Sequence, residues 1–228
     1  MSGHWGEREP QDDDGWHPDS GQSVGVRADD ADQPAEVEVD YARTDAPDQL
    51  WQRRYFHDCN FSQANLSALR TVQCTFIACN FTAANLHRSQ HRLSAFRNCT
   101  FLGAQLGDSR FEECQMDGSA FDSAQMSSVV FNGGDLTEAS LAGIDLSGVD
   151  LSEVRLYGAD LSQTDLSGAR LVGADLREVR LESTNFEDAD LQGALLDGID
   201  VLQARLAGAR LDQDGCVALA RALGAVVG

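Results

Sequence analysis

From Trp51 to Leu211 every fifth residue is a large apolar side chain, and no insertion or deletion breaks the count. Phe56, Phe61, Leu66, Phe76, Phe81 and Leu86 begin the series, which runs on through Phe96, Phe101, Leu106, Phe111, Met116 and Phe121 to Leu206. Of 33 such positions only Thr71 and His91 are polar. Two residues ahead of each centre the side chain is small or modest in size, as at Cys59, Ala64, Cys74, Cys79, Ala84 and Cys99, then Ala139, Val149, Ala159 and Ala169. This spacing fits neither the 3.6-residue period of an α-helix nor the two-residue period of a continuous strand, so the chain must turn once per repeat. Residues two apart share one face of extended chain, which points the centre and the small residue before it inward and leaves a corner to follow. Stacked coils are the expected result.

Recurrences twenty residues apart favour four-sided coils: Cys59, Cys79 and Cys99; Phe61, Phe81, Phe101 and Phe121; and the two exceptions, Thr71 and His91. A spacing of fifteen, Cys59 to Cys74, also occurs, so periodicity alone leaves the coil length open. After Leu211 the rule stops. Asp212 or Asp214 can cap a helix whose apolar stripe includes Val217, Leu219, Ala220, Leu223 and Val226. The expected organisation is an acidic tail over 1–50, a repeat body over 51–211 and a terminal helix over 212–228.

Composition sharpens this division. Residues 1–50 hold all four prolines and 14 acids against three arginines, too little apolar surface to offset chain entropy, and are expected to be disordered, with Val37, Val39 and Tyr41 docking locally at most. Gly21-Gln22-Ser23-Val24-Gly25 fits the nucleophile-elbow pattern, but that motif needs a strand before it and a helix after it. The whole chain carries a net charge of −20, and all 17 basic residues are arginine. The absence of lysine excludes Schiff-base chemistry and the phosphate-loop lysine, and the acidic balance argues against direct nucleic-acid binding. No hydrolase triad, zinc-protease motif or dinucleotide fingerprint stands in a plausible context, so an enzyme is not expected. Without an apolar leader or a long apolar run, the chain reads as cytoplasmic. Five of six cysteines occupy the small inward position; none has zinc-site spacing, and neither a metal nor a cofactor is expected.

The repeats ANLSA, ADLSQ and TDLSGA resemble the pentapeptide-repeat family over residues 51–211. That resemblance implies an all-β solenoid, a right-handed quadrilateral parallel β-helix of about eight coils. Residues 78–121, and within them Ser89-Gln90-His91-Arg92 and Ser94-Ala95-Phe96-Arg97-Asn98-Cys99, resemble the fluoroquinolone-resistance branch of the family, as does the ending from Leu211 to Cys216. The branch implies a DNA mimic that binds DNA gyrase and forms a homodimer through its C-terminus. Two departures are visible: the acidic tail, and the missing loop insertions of the plasmid-borne members.

Charge divides the body. Residues 51–110 carry seven arginines and two acids, whereas 111–228 carry seven arginines and 21 acids. The slot before each centre wants a short polar side chain that bonds its own backbone, and Asn and Asp serve equally. The first half uses Asn60, Asn65, Asn80 and Asn85; the second uses Asp135, Asp145, Asp150, Asp160, Asp165 and Asp175 among others. Turn chemistry does not require that switch, so the charge has another use, and the resemblance implies that these aspartates are the gyrase-binding surface. The competing reading is structural. At a spacing of twenty, Asp150, Arg170, Asp190 and Arg210 alternate in sign, as do Asp135, Arg155 and Asp175, which would stabilise stacking. Asp145 and Asp165 stack with no arginine between them and are the strongest recognition candidates. Arg70, Arg88, His91 and Arg92 gather around the broken centres, either as a bulge turned to solvent or as a basic contact patch. The terminal helix is either an end plug or the dimer interface. A scaffold for a different basic protein partner is the alternative function.

Overall fold

The structure, a computed structural model, describes residues 35–227. It is a parallel β-solenoid closed by one helix. Strands β1 (Glu36–Val37), β3 (Tyr55–His57), β5 (Thr75–Ile77) and β7 (Ala95–Arg97) stack along one side. Strands β2 (Leu50–Gln52), β4 (Arg70–Val72), β6 (Gln90–Arg92), β8 (Arg110–Glu112) and β9 (Val130–Asn132) stack along another. The remaining two sides are ladders of single bridges, such as Asn60 to Asn80 to Thr100 and Asn65 to Asn85 to Gln105. Every pairing is parallel and offset by twenty residues, Phe56 on Phe76 and Phe111 on Phe131, so one coil is four pentapeptides. The register removes the ambiguity that the fifteen-residue spacing left open.

Inward centres build continuous columns. Phe56, Phe76 and Phe96 stack at centroid distances of 4.7 Å, and Tyr41, Phe61, Phe81, Phe101 and Phe121 at 4.9 to 5.0 Å. That spacing is the separation of hydrogen-bonded strands, so ring stacking and backbone ladder share one repeat. At most corners the N–H three residues beyond the centre returns to the centre carbonyl, as Ala64 N to Phe61 O at 3.1 Å, with the residue between them left-handed (Gln63, φ 57°).

The extended sides end differently, and here the cysteines are more than small. Cys59, Cys74, Cys79, Cys99 and Cys114 each follow a three-residue strand, and each thiol points at a carbonyl of the coil beneath. Cys74 Sγ lies 3.3 Å from Trp51 O and Cys114 Sγ 3.4 Å from His91 O. Ser94 holds this position after β6 but meets a hydroxyl there: it accepts from the Thr71 hydroxyl of the coil beneath at 3.0 Å and donates to Arg92 O of its own coil at 3.1 Å.

Two expectations are corrected. Residues 35–50 are not tail but the first coil: β1 pairs with β3, and Asp40 and Asp45 bridge Asn60 and Asn65. The apolar rule hides this coil because Glu36 and Ala46 stand where large apolar centres belong. Glu36 is tolerated because Arg54 and the Tyr41 hydroxyl bond its carboxylate at the base of the stack. Residues 1–34, including Gly21–Gly25, lie outside the described residues.

The second correction concerns the broken centres. Thr71 and His91 are not turned to solvent; they are 1% and 2% exposed and point into the core. His91 stacks on Phe111 at 4.8 Å, its Nδ1 lies 2.8 Å from the Thr71 hydroxyl and its Nε2 2.9 Å from the Ser89 hydroxyl. Thr71 continues to Ser94, and Ser89 to Ser109, whose hydroxyl donates to Leu86 O at 2.7 Å. Burial pushes the imidazole down to about 3, so the ring is neutral and carries one N–H. This polar relay replaces apolar filling in the column above Trp51.

Candidate functional site

The slot preceding each centre sits outside the coil, and its side chain bonds backward to its own turn. Asn60 Oδ1 accepts from Ser62 N at 3.1 Å and Asn80 Oδ1 from Thr82 N at 2.9 Å. Asp135, Asp145, Asp150, Asp160 and Asp165 make the same bond to Thr137, Ser147, Ser152, Ser162 and Ser167 at 2.9 to 3.0 Å. Asp175 accepts from Arg177 N at 3.3 Å. One carboxylate oxygen therefore serves the fold, and the other is left to face outward.

That second oxygen separates the six candidates. Asp135 and Asp160 each accept from the arginine one coil on, Arg155 and Arg180, at 2.9 Å. Asp175 is gripped bidentately by Arg177 at 2.7 and 2.8 Å, and Asp150 faces Arg170 at 3.7 Å. Four of the six are thus matched by a cation. Asp145 and Asp165 are bridged partners on a different side, and among the described residues neither makes an arginine salt bridge, although Arg205 two coils on draws the Asp165 carboxyl down from a distance. The backbone N–H of Ser167, and then its hydroxyl, hold the Asp165 carboxyl below its ordinary value, with Asn185 Nδ2 adding a bond at 3.0 Å. Small residues surround the pair: Ser147 and Gly148 follow Asp145, Ser167 and Gly168 follow Asp165. Gly148 and Gly168 are left-handed corners (φ 67° and 64°) with open space where a side chain would project. Two stacked carboxylates consequently stand above a smooth surface of serine and glycine, reachable by a cationic partner.

The basic candidates divide. Arg70 and Arg92 project from β4 and β6 on one outer face, and Arg88 is exposed at the corner leading into it. His91 is inside and cannot take part. Arg110, on β8, completes the face, and the twenty-residue spacing alone puts it two coils above Arg70. Arg70, Arg92 and Arg110 line a groove of about 550 Å³ with Leu50, Gln90 and Glu112, and Arg88 lies outside that lining.

At the other end Asp212 caps helix α1 (Gln213–Ala222), accepting from Gly215 N and from Gly193 N, both at 2.8 Å. These two bonds lower its carboxyl and pin the helix to a coil. Ala218, Leu219 and Ala222 pack against the end of the core, and Val217 and Ala220 are half-buried. Leu223 is 58% exposed and Val226 99%. The helix is therefore a plug whose outer apolar residues remain uncovered. Among the described residues no group of three histidine, cysteine or acidic side chains could hold a metal ion, and no helix is long and apolar enough to cross a membrane.

Comparison with known proteins agrees with the geometry. The pattern described as "Pentapeptide repeats" matches in eight copies, over residues 59–90, 135–168, 144–182 and 184–213. Over 68 residues the chain is 42% identical to the pentapeptide repeat protein MfpA of Mycobacterium tuberculosis, covering 30% of this chain and 37% of that protein. The match thus spans little more than a third of the relative. The solved structure of trypsin-treated QnrB1, a plasmid-mediated fluoroquinolone resistance protein, superposes with a TM-score of 0.76 at 25% identity, covering 85% of this chain and 97% of that one. Full-length QnrB1 gives a TM-score of 0.75 at 23% identity, covering 84% and 97%.

Proposed function

The chain belongs to the pentapeptide-repeat family, and from that premise we propose that it is a non-enzymatic DNA mimic that binds DNA gyrase and modulates fluoroquinolone action. The observation that carries this reading is the Asp145–Asp165 stack, two carboxylates on successive coils that make no arginine salt bridge among the described residues, with Arg205 two coils above acting on Asp165 only through space. Like charges placed opposite one another on neighbouring strands cost the fold a few tenths of a kcal/mol or more. A partner with a basic cleft recovers that cost and gains the attraction. The similarity to fluoroquinolone-resistance proteins points to gyrase, whose DNA-handling surface is such a cleft, and protection is then competition by mass action.

Dimerisation through the outer residues of α1 would join two acidic ends and lengthen the negative surface. A second reading, a scaffold for another basic protein, is favoured by the arginines that already match Asp135, Asp150, Asp160 and Asp175. Gyrase supercoiling decides between them. Titration with the protein inhibits supercoiling, or relieves quinolone-stabilised cleavage, at stoichiometric dose if gyrase is the partner; no effect at micromolar concentration favours the scaffold.

A further inference from the structure

On the outer face of β2, β4, β6 and β8 cations outnumber acids in an otherwise acidic protein. Alternation along each strand turns the centres inward and sends Arg70, Arg92 and Arg110 outward, around the groove of about 550 Å³. Among the described residues that line it, Glu112 is the one acid. Glu112 also projects outward, being next to the inward Phe111, yet it is 5% exposed, unlike Asn132 at the same position of β9. Burial, opposed by Arg110 and Arg92, raises its carboxyl. Arg110 and Arg92 flank that carboxylate, so Glu112 offsets one of the three arginines and the groove keeps a net positive charge.

The chain supplies a cover of the right charge. Residues 1–34 contain nine acids and two arginines, with Asp29, Asp30 and Asp32 closest to the body. Their point of attachment is also right. Ala35 lies twenty residues before Tyr55, so the segment joins the first coil below the corner made by Arg53 and Arg54, at the base of the arginine face. From Leu50 to Arg110 the face climbs three coils, ~15 Å, which about five extended residues span. We propose that the acidic N-terminal segment, through Asp29, Asp30 and Asp32, docks on the groove between Arg70 and Arg110. Docking offsets the charge of the groove itself, where three arginines face Glu112. This goes beyond the gyrase reading and stands without it.

Trypsin tests it in the full chain, because without lysine the segment offers cleavage only after Arg8 and Arg27. The rate of cleavage after Arg27 is followed by mass spectrometry in the wild type, in R70E/R110E and in D29N/D30N/D32N. Circular dichroism confirms that the solenoid is intact. At low ionic strength both variants lose the segment about threefold faster or more, and in ~1 M salt the wild type approaches them, because surface attraction is then screened. An Arg27 rate indifferent to the charge changes and to salt overturns the proposal. So does retardation of a DNA duplex by the wild type that R70E/R110E abolishes while Arg27 cleavage stays unchanged, which would give the face to phosphate instead.

Discussion

His91 Nδ1 lies 2.8 Å from the Thr71 hydroxyl one coil beneath it, and the pair fills the two positions where the apolar series is interrupted. Because the buried ring has one proton, the relay points only one way at a time, from Ser89 through His91 to Thr71 and Ser94 or the reverse. Either direction leaves one hydroxyl–hydroxyl contact without a hydrogen, and that imperfection sits in the middle of the core.

The neutral His91 makes stability depend on pH. Its value in the fold is about 3 against an unfolded 6.5. As pH falls through that window the unfolded chain gains a proton that the fold refuses, so stability drops by roughly 1.4 kcal/mol per unit. Urea unfolding at pH 7 and pH 4 measures the drop, and His91→Phe flattens it. An equal loss in the variant would assign the pH dependence to carboxylates such as Asp165 and Asp175, whose lowered values act in the same direction at lower pH.

Asp145→Asn and Asp165→Asn keep the acceptor for Ser147 N and Ser167 N, as Asn60 and Asn80 do in the first half. Melting temperature is expected to change by no more than about 2 °C, whereas gyrase affinity falls about tenfold for the pair. Asp150→Asn, already matched by Arg170, is expected to cost less than about threefold. Full affinity in the double variant places the contact on another side of the rod.

Leu223→Glu with Val226→Glu changes only exposed residues of the C-terminal end. Light scattering is expected to give a monomer with an unchanged melting curve. Leu219 is the wrong residue for this test, because it packs against the end of the core and its loss destabilises the plug itself.

Thiol reactivity follows from the corner bonds. Cys74 is raised to about 11 and Cys114 to about 12 by burial, and Cys216 alone is exposed. Native protein at neutral pH is expected to titrate one thiol rapidly with Ellman's reagent, and the other five only after unfolding. Two or more fast thiols would mean that the extended corners open readily. Cys99→Ala is expected to cost about 1 to 2 kcal/mol, from a lost methyl-sized volume and the bond to Phe76 O.

The solenoid is legible because one five-residue register runs without insertion or deletion, and the columns of Asp150, Arg170 and Asp190 fall where the spacing puts them. The first coil is not, because Glu36 and Ala46 break the rule and a salt bridge from Arg54 replaces hydrophobic filling. His91 is hard to read for a related reason: a polar centre looks like a defect in one dimension and becomes acceptable only when Thr71 and Ser109 arrive from neighbouring coils to complete the relay. The cysteines were seen as small, and their carbonyl contacts reach 23 residues back in the chain, a separation invisible to a five-residue rule.

Asparagine and aspartate tie the same knot to the backbone at the outer slot, so exchanging them alters electrostatics one unit at a time while the scaffold stays mute. Natural variation can therefore repaint any side of the rod for a new client through single-codon steps, with the interior indifferent to the change.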